Sequence, residues 1–425
     1  MGLLFLIAVP LSFNSCASKY DEPPASLSPD VLIEPSTLAA WIDAGYVNNS
    51  GYNKVVIIEV NTVTSGVSGY NTSHIRGAVV LDRTELLATR VEGLAPAVTM
   101  VCNGTKMDQI IKSFGIDQNT TIVFTTSDVT SGGGSILFAS RGYFTFRYWG
   151  FPKEKLKMLN GYNKAFTAEY PTYMTGDIPA IAPSTYSVKN NPGLRPDLRA
   201  SLGEMIQAVG APTTQIVDVR TLNAYNGAKK STSGLFITAA PKDYAVFEGH
   251  ITGAVNMPLT TSNVLVDSTN NNKFKTATDL NTLLTGAPYS LLSSKRTYVY
   301  CTFGFIGSEL FVVLDAILNW PVEFYDGSWS QWGLYDDSVA NGGKLPSGSA
   351  WKTIGLSTST FYNDTVLAPE TIADFTAAAG YDADFVATYS SDTTSPATNQ
   401  IENEDAAYIT TGSGGGGNGG GGGGC

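Results

Sequence analysis

Short apolar runs bounded by polar residues recur along the chain. They occupy residues 55–60 and 121–124 in the first half and residues 216–219 and 297–300 in the second. Their β-branched and aromatic residues predict buried β-strands. Helix candidates between and beside them lie at residues 38–44, 107–114, 202–209 and 308–318. This alternation predicts an α/β fold of mainly parallel sheets with helices on both faces, where ligands bind at the carboxyl ends of the strands.

The same order of motifs occurs twice. The first half carries HIRGAV at residues 74–79 and the second carries HITGAV at residues 250–255, each after an apolar strand. In both halves the position 51 residues past the histidine follows the next predicted strand, and it holds Thr125 in the first half and Cys301 in the second. The equal spacing predicts a duplicated domain with Thr125 at the position of Cys301.

These signals divide the 425 residues into segments. We predict a signal segment at 1–16, a tether at 17–30, a first domain at 31–182, a linker at 183–199, a second domain at 200–345, an extension at 346–412 and a tail at 413–425. The tail is almost entirely glycine and ends in Cys425. Such low-complexity sequence cannot bury apolar surface, so we expect it to be disordered.

Charge excludes some partners. The net charge is −11 and the isoelectric point is near 4.7. Nucleic acid requires a basic surface, so we expect no nucleic-acid partner.

The N-terminus favours export. Residues 3–13 are apolar but too few to span a bilayer as a helix. Residues 13–18 resemble a bacterial lipobox in which Cys16 is lipidated, although no Lys or Arg precedes the apolar run and Phe13 and Asn14 are unusual there. We expect a lipid anchor at Cys16 in the bacterial cell envelope, in the periplasm or outer membrane; a cleaved soluble signal and a cytoplasmic protein are the alternatives.

Cysteine and histidine are scarce. The four cysteines are Cys16, Cys102, Cys301 and Cys425, and their spacing contains no CxxC and no zinc-ligand pattern. With only His74 and His250, we expect no metal site, no Ser-His-Asp triad and no cofactor. Cys102 is interpreted as structural or incidental.

Four motifs of the second half occur in the order found in one protein family. They are VDVR at 217–220, GHITGAVNMP at 249–258, YCTFGFI at 300–306 and DGSWSQW at 326–332. Together they resemble the signatures of rhodanese sulfurtransferases, and residues 30–345 as a whole resemble a tandem pair with an inactive first member.

The resemblance implies that Cys301 attacks the outer sulfur of a small sulfane-sulfur donor, such as thiosulfate or mercaptopyruvate. The persulfide then passes to a thiol or protein acceptor. It also implies that His250 is structural and that Asp218 and Arg220 are a scaffold pair, with Arg220 as a lesser candidate for substrate contact.

The loop around Cys301 is short and lacks charge. It comprises Cys301, Thr302, Phe303, Gly304, Phe305 and Ile306. Its backbone N–H groups and the following helix are expected to stabilise a sulfur anion, and Gly304 permits a tight turn. Thiosulfate enzymes of this family commonly hold Arg or Lys here, so we expect slow use of sulfonate donors and better use of persulfides or polysulfides. Lys229 and Lys230 are candidates to compensate.

Two alternatives remain open. Cys425 is a candidate acceptor thiol on a flexible tether, against the interpretation of a tail without a specific role. An accessory lipoprotein that binds sulfur, selenium or tellurium species, or redox partners in oxyanion reduction, is the alternative to an enzyme.

Overall fold

The computed structural model describes residues 27–63, 69–92, 95–127, 136–226, 249–259, 263–333, 353–354 and 399–411. The signal segment with Cys16, Lys229, Lys230 and the glycine-rich tail with Cys425 lie outside these residues. Among the described residues no helix is long and apolar enough to cross a bilayer.

The strands and helices follow one another in two similar series. The strands are β1 (Leu32–Ile33), β2 (Val55–Asn61), β3 (His74–Ile75), β4 (Val79–Asp82), β5 (Leu87–Glu92), β6 (Ala95–Val101), β7 (Thr121–Thr125), β8 (Leu156–Leu159), β9 (Met174–Thr175), β10 (Thr214–Asp218), β11 (His250–Ile251), β12 (Val255–Asn256), β13 (Val266–Asp267), β14 (Lys273–Phe274), β15 (Arg296–Tyr300), β16 (Val322–Phe324) and β17 (Thr353–Ile354). The helices are α1 (Pro35–Asp43), α2 (Gly104–Ser113), α3 (Ile136–Tyr148), α4 (Tyr162–Glu169), α5 (Leu202–Ala208), α6 (Leu222–Tyr225), α7 (Ala277–Thr285), α8 (Gly307–Val312), α9 (Ser328–Trp332) and α10 (Gln400–Thr410).

Each half is built on a parallel sheet. The first has the order β1-β8-β7-β2-β4 and the second has the order β12-β10-β15-β16. Side chains of β2 alternate: Val55 and Ile57 pack with α1 and α4, whereas Val56 and Ile58 pack on the other face with α2 and α3. The predicted α/β fold with helices on both faces is confirmed.

The predicted helices have clear local causes. Helix α5 begins at a capping box in which Ser201 and Glu204 each accept a hydrogen bond from the other's backbone N–H. Asn103 is the N-cap of α2, and its side chain accepts a hydrogen bond from the backbone N–H of Lys106. The helix expected at 308–318 is α8 followed by a wider π-helical segment, Val313–Leu318, which ends at Asn319 in a left-handed conformation.

Strand register corrects one prediction. Glu59 is paired with Thr125 in the first sheet, and Asp218 is paired with Tyr300 in the second, so Thr125 is equivalent to Tyr300. The position of Cys301 is therefore held by Thr126, and the prediction of Thr125 was wrong by one residue. The first half has one more residue between its histidine and the end of β7. Counting along the sequence cannot detect this, because an extra residue between the two strands leaves both strand patterns intact.

The two sheets meet through equivalent helices. Helix α3 follows β7, α8 follows β15, and the two helices pack against each other. The ring of Phe144 lies edge-on to Phe311, 5.1 Å away, and to Phe324, 4.9 Å away. The hydroxyl of Tyr143 donates to Asp315 at 2.6 Å. The first half therefore lies directly beside the helix that carries the Cys301 loop.

The extension contributes to both halves. Strand β17 pairs antiparallel with β11, as β9 does with β3, so the second domain continues past the predicted boundary at residue 345. Helix α10 packs against β5 and α2. It buries two carboxylates, Glu402 and Asp405, which pair with Arg199 and Arg90. No pattern in the sequence predicted that α10 would pack here.

Candidate functional site

Cys301 lies at the carboxyl end of β15, between that strand and α8. Its side chain is 1% exposed. Its backbone N–H donates to the hydroxyl of Ser328 at 3.2 Å, and the same hydroxyl lies 3.9 Å from the Cys301 sulfur. The N–H of Trp329 donates to the Cys301 carbonyl at 2.9 Å. The first turn of α9 therefore holds the backbone of Cys301 in position.

The loop after Cys301 holds free hydrogen-bond donors. Within the part of the chain that the structure describes, the backbone N–H groups of Thr302, Gly304, Phe305 and Ile306 have no acceptor. Consecutive amides in such a turn form an anion-binding concavity, and the N-terminus of α8 adds a favourable dipole. A negatively charged sulfur on Cys301 fits this surrounding.

Gly304 and Arg141 shape the loop together. Gly304 has a φ of +66°, and a Cβ there would lie 2.4 Å from the carbonyl oxygen of Asp326. Arg141 of α3 is fully buried and donates to the carbonyls of Gly304, at 2.7 Å, and Thr99, at 2.9 Å. Burial lowers the pKa of Arg141, and the carboxylate of Asp326, 3.6 Å away, opposes that shift.

A second arginine of the first half reaches the loop. The guanidinium of Arg83, just after β4, lies 5.0 Å from the ring centre of Phe138 and 5.4 Å from that of Phe305. The loop itself has no charged residue, as its sequence shows, but Arg83 and Arg141 of the first half lie beside it. Arg141, a charge inside an apolar helical run, was a signal that the sequence reasoning missed.

Asp218 and Arg220 form a buried ion pair behind the cysteine. Arg220 Nη2 lies 2.6 Å from Asp218 Oδ2 and 2.5 Å from the carbonyl oxygen of Gly249, and the guanidinium covers the Trp329 ring at 4.2 Å. The Tyr300 hydroxyl donates to Asp218 at 2.6 Å. These contacts tie the VDVR strand to the residues flanking Cys301, as a scaffold pair does.

Both histidines make the same local contacts. His74 and His250 stack on Tyr70 and Tyr225, with ring centres 4.0 and 3.6 Å apart, and each Nδ1 meets the carbonyl oxygen of its tyrosine. Burial lowers the pKa of His250. The contacts fit a structural role in each half.

The first half has a polar network where the second has its cysteine. Thr126 donates to the side chain of Asn61 at 3.2 Å, and Thr125 donates to Asn163 at 2.8 Å. Asn61 and Asn163 both donate to Glu59. Burial raises the pKa of Glu59 to about 7. No thiol takes part in this network, so a catalytically silent first domain remains our prediction.

The other candidates lie apart from this site. Cys102 is buried, and burial raises the pKa of its thiol to about 12, which makes it a poor nucleophile. Among the described residues no group of His, Cys, Asp and Glu could hold a metal ion. Cys16 and Cys425 lie outside the described residues.

A buried carboxyl in α8 makes stability depend on pH. Burial raises the pKa of Glu309 to about 8, and its carboxylate accepts one hydrogen bond from Asn263 at 2.6 Å. The folded state therefore binds a proton that the unfolded state releases, and the stability from this group falls as pH rises from about 4.5 through 8.

We expect Glu309→Gln to relieve this loss, because Gln keeps the acceptor and cannot ionise. Denaturant unfolding should show little change at pH 4.5 and a gain of several kcal/mol, up to about 5, at pH 9. Glu85→Gln, at a side chain 43% exposed, is the control and should show no such trend. A Glu309→Gln gain that is equal at both pH values would contradict the raised pKa.

Comparison with known proteins identifies the second half. Residues 201–334 match the model of the rhodanese-like domain. The second domain is a rhodanese-like domain. The chain is 28% identical over 306 residues to a Mycobacterium bovis protein that is named, without proof, as a thiosulfate sulfurtransferase. This alignment is longer than the rhodanese-like domain and covers 72% of this chain and 95% of that protein.

Two further comparisons extend this result. The sulfur carrier protein TtuD of Thermus thermophilus is 27% identical over 281 residues, or 66% of this chain and 88% of that protein. The anaerobic ergothioneine biosynthesis enzyme from Chlorobium limicola has the same fold, with a TM-score of 0.55 at 17% identity over 71% of this chain and 68% of that one. The predicted resemblance to the rhodanese family is confirmed for residues 201–334, and the relatives of the chain carry the names of sulfurtransferases and of a sulfur carrier.

Proposed function

We propose that this protein is a sulfurtransferase that carries sulfane sulfur as a persulfide on Cys301. The observation that carries the proposal is the set of backbone N–H groups at Thr302, Gly304, Phe305 and Ile306, which follow the cysteine in its loop and have no acceptor within the described part of the chain. A persulfide anion is larger than a thiolate and needs several donors to replace its hydration.

The reaction has two balanced steps. The thiolate of Cys301 attacks the outer sulfur of the donor, the donor's S–S bond breaks, and the remainder leaves with the electron pair. A thiol or cyanide acceptor then attacks the terminal sulfur, and the Cys301 thiolate returns. The loop amides hold the negative charge in both states, while Arg141 and Ser328 position the loop and the cysteine.

We further propose that the protein works in the bacterial cell envelope, anchored by a lipid on Cys16. The apolar N-terminal run and the lipobox-like residues 13–18 support this proposal. Cys425 remains a candidate acceptor thiol.

Mass spectrometry of the intact protein tests the proposed reaction. We expect sulfane donors to add one sulfur, about 32 Da, to the wild type, and cyanide to remove it as thiocyanate. Cys301→Ser should gain no cyanide-labile sulfur, whereas the matched variant Cys102→Ser should load like the wild type. If no donor loads Cys301, the enzyme proposal fails and the accessory binding protein becomes the better hypothesis.

A further inference from the structure

Beside the Cys301 loop lies a cation, Arg83, for which the described residues supply no carboxylate partner. Arg83 follows β4 in the first domain and lies over Phe138 of α3 and Phe305 of the loop. The two rings meet edge to face with centres 5.7 Å apart, and Ser308 donates to the carbonyl of Leu137 at 3.3 Å beside them. The guanidinium therefore lies where the silent domain meets the active-site loop.

The carboxylates nearest to Arg83 in sequence are engaged elsewhere. Asp82 accepts hydrogen bonds from the backbone N–H groups of Thr84, at 2.7 Å, and Val63, at 2.8 Å. Glu85 pairs with Lys106. Among the described residues Arg83 forms no ion pair, and its buried Nε has no acceptor.

Such an arrangement is costly unless a ligand completes it. A buried guanidinium N–H without an acceptor loses its hydration and gains no hydrogen bond in return. The side chain is only half-buried, so part of the guanidinium remains accessible to a small molecule. Its planar donors suit the paired oxygens of a sulfonate, sulfinate or carboxylate group.

We propose that Arg83 binds the oxyanion end of the sulfur donor, so that the silent domain supplies the anion contact that the Cys301 loop lacks. This inference rests on the proposed function and narrows it to donors with a terminal oxyanion, of which thiosulfate is the simplest. The thiolate of Cys301 attacks the outer sulfur of thiosulfate, the S–S bond breaks, and sulfite leaves with the electron pair beside Arg83. With Arg83 in this role, sulfonate donors become good substrates, contrary to the expectation from the sequence of the loop.

Steady-state kinetics with thiosulfate and cyanide test the proposal. We expect Arg83→Met, which keeps much of the packing on the two rings, to raise the KM for thiosulfate roughly 10- to 100-fold, as for the loss of a charged hydrogen-bond pair. Arg83→Lys should recover part of the loss because it restores the charge without the paired donors. Arg76→Met is a matched control, since Arg76 also lies over an aromatic ring, that of Tyr173, at 5.0 Å.

A second measurement separates charge recognition from a structural effect. Neutral methyl methanethiosulfonate and its anionic sulfonatoethyl analogue both convert the Cys301 thiolate into a mixed disulfide and release methanesulfinate. We expect Arg83→Met to lower the rate for the anionic reagent relative to the neutral one by at least about 5-fold. Equal slowing of both reagents, or an unchanged KM for thiosulfate, would overturn the role of Arg83. Absence of any sulfur on wild-type Cys301 would instead refute the proposed function.

Discussion

Asp405→Ala is expected to lower the free energy of unfolding by roughly 3–5 kcal/mol. The Asp405 carboxylate contacts Arg90 at 2.7 and 3.0 Å and accepts the hydroxyl of Tyr148 at 2.8 Å. Burial raises the pKa of Asp405, and Arg90 opposes that shift. The ion pair itself therefore contributes little. The cost of the substitution comes from leaving the buried Arg90 with the exposed Glu404 as its remaining carboxylate and leaving Tyr148 without that acceptor.

Glu404 provides a matched control on the same helix and the same arginine. It contacts Arg90 at 3.0 Å, but its side chain is 53% exposed. Glu404→Ala should therefore cost less than about 1 kcal/mol. Urea unfolding of both variants measures the difference. Equal losses would show that α10 is not held by its buried carboxylate.

Arg141→Met should both destabilise the protein and slow sulfur loading. We expect the free energy of unfolding to fall by about 3 kcal/mol, because the carbonyls of Gly304 and Thr99 lose their donor and the buried Asp326 loses a cation. Since the peptide bond is planar, an Arg141 that holds the Gly304 carbonyl also fixes the Phe305 N–H in the opposite direction. Losing that orientation should slow loading of Cys301 on the order of 10- to 100-fold.

Arg147→Met distinguishes the loop effect from simple loosening of the interface. Arg147 lies on the same helix and pairs with Asp315 at 3.2 Å, but within the described part of the chain it makes no hydrogen bond or ion pair to the Cys301 loop. Arg147→Met should lose about as much stability as Arg141→Met but keep the loading rate per folded molecule. Single-turnover mass spectrometry measures that rate. Equal slowing in both variants would assign Arg141 a purely structural role.

Local sequence patterns predicted much of the fold. Apolar runs of strand length, such as residues 55–60, become buried parallel strands because each must cover both of its faces. The motif around Cys301 predicted the strand, loop and helix that surround it, since a six-residue connection with a glycine leaves few conformations for the turn. The repeat was visible for the same reason, although counting placed Thr125 where strand register places Thr126.

Charges brought together from distant parts of the chain were not predictable in this way. Arg199 contacts Glu92 of β5, Asp326 before α9 and Glu402 of α10, and each of these lies about 100 to 200 positions from Arg199 along the chain. A lone arginine or glutamate in a sequence has the pattern of a solvated surface residue until packing removes the water. The packing of the two domains brought these partners to Arg199 and so formed the buried charge network.

The sequence by itself determined the α/β repeat, the candidate cysteine and the absence of charge within its loop. Only the tertiary structure decided what surrounds that loop, because Arg83 and Arg141 come from the first domain and approach Gly304 and Phe305 through the packing of α3 on α8. Hydrophobic periodicity arises within a single helix or strand, so it can be read directly from the sequence. The electrostatic environment of a thiol depends on distances in space, and those exist only once the two domains have packed.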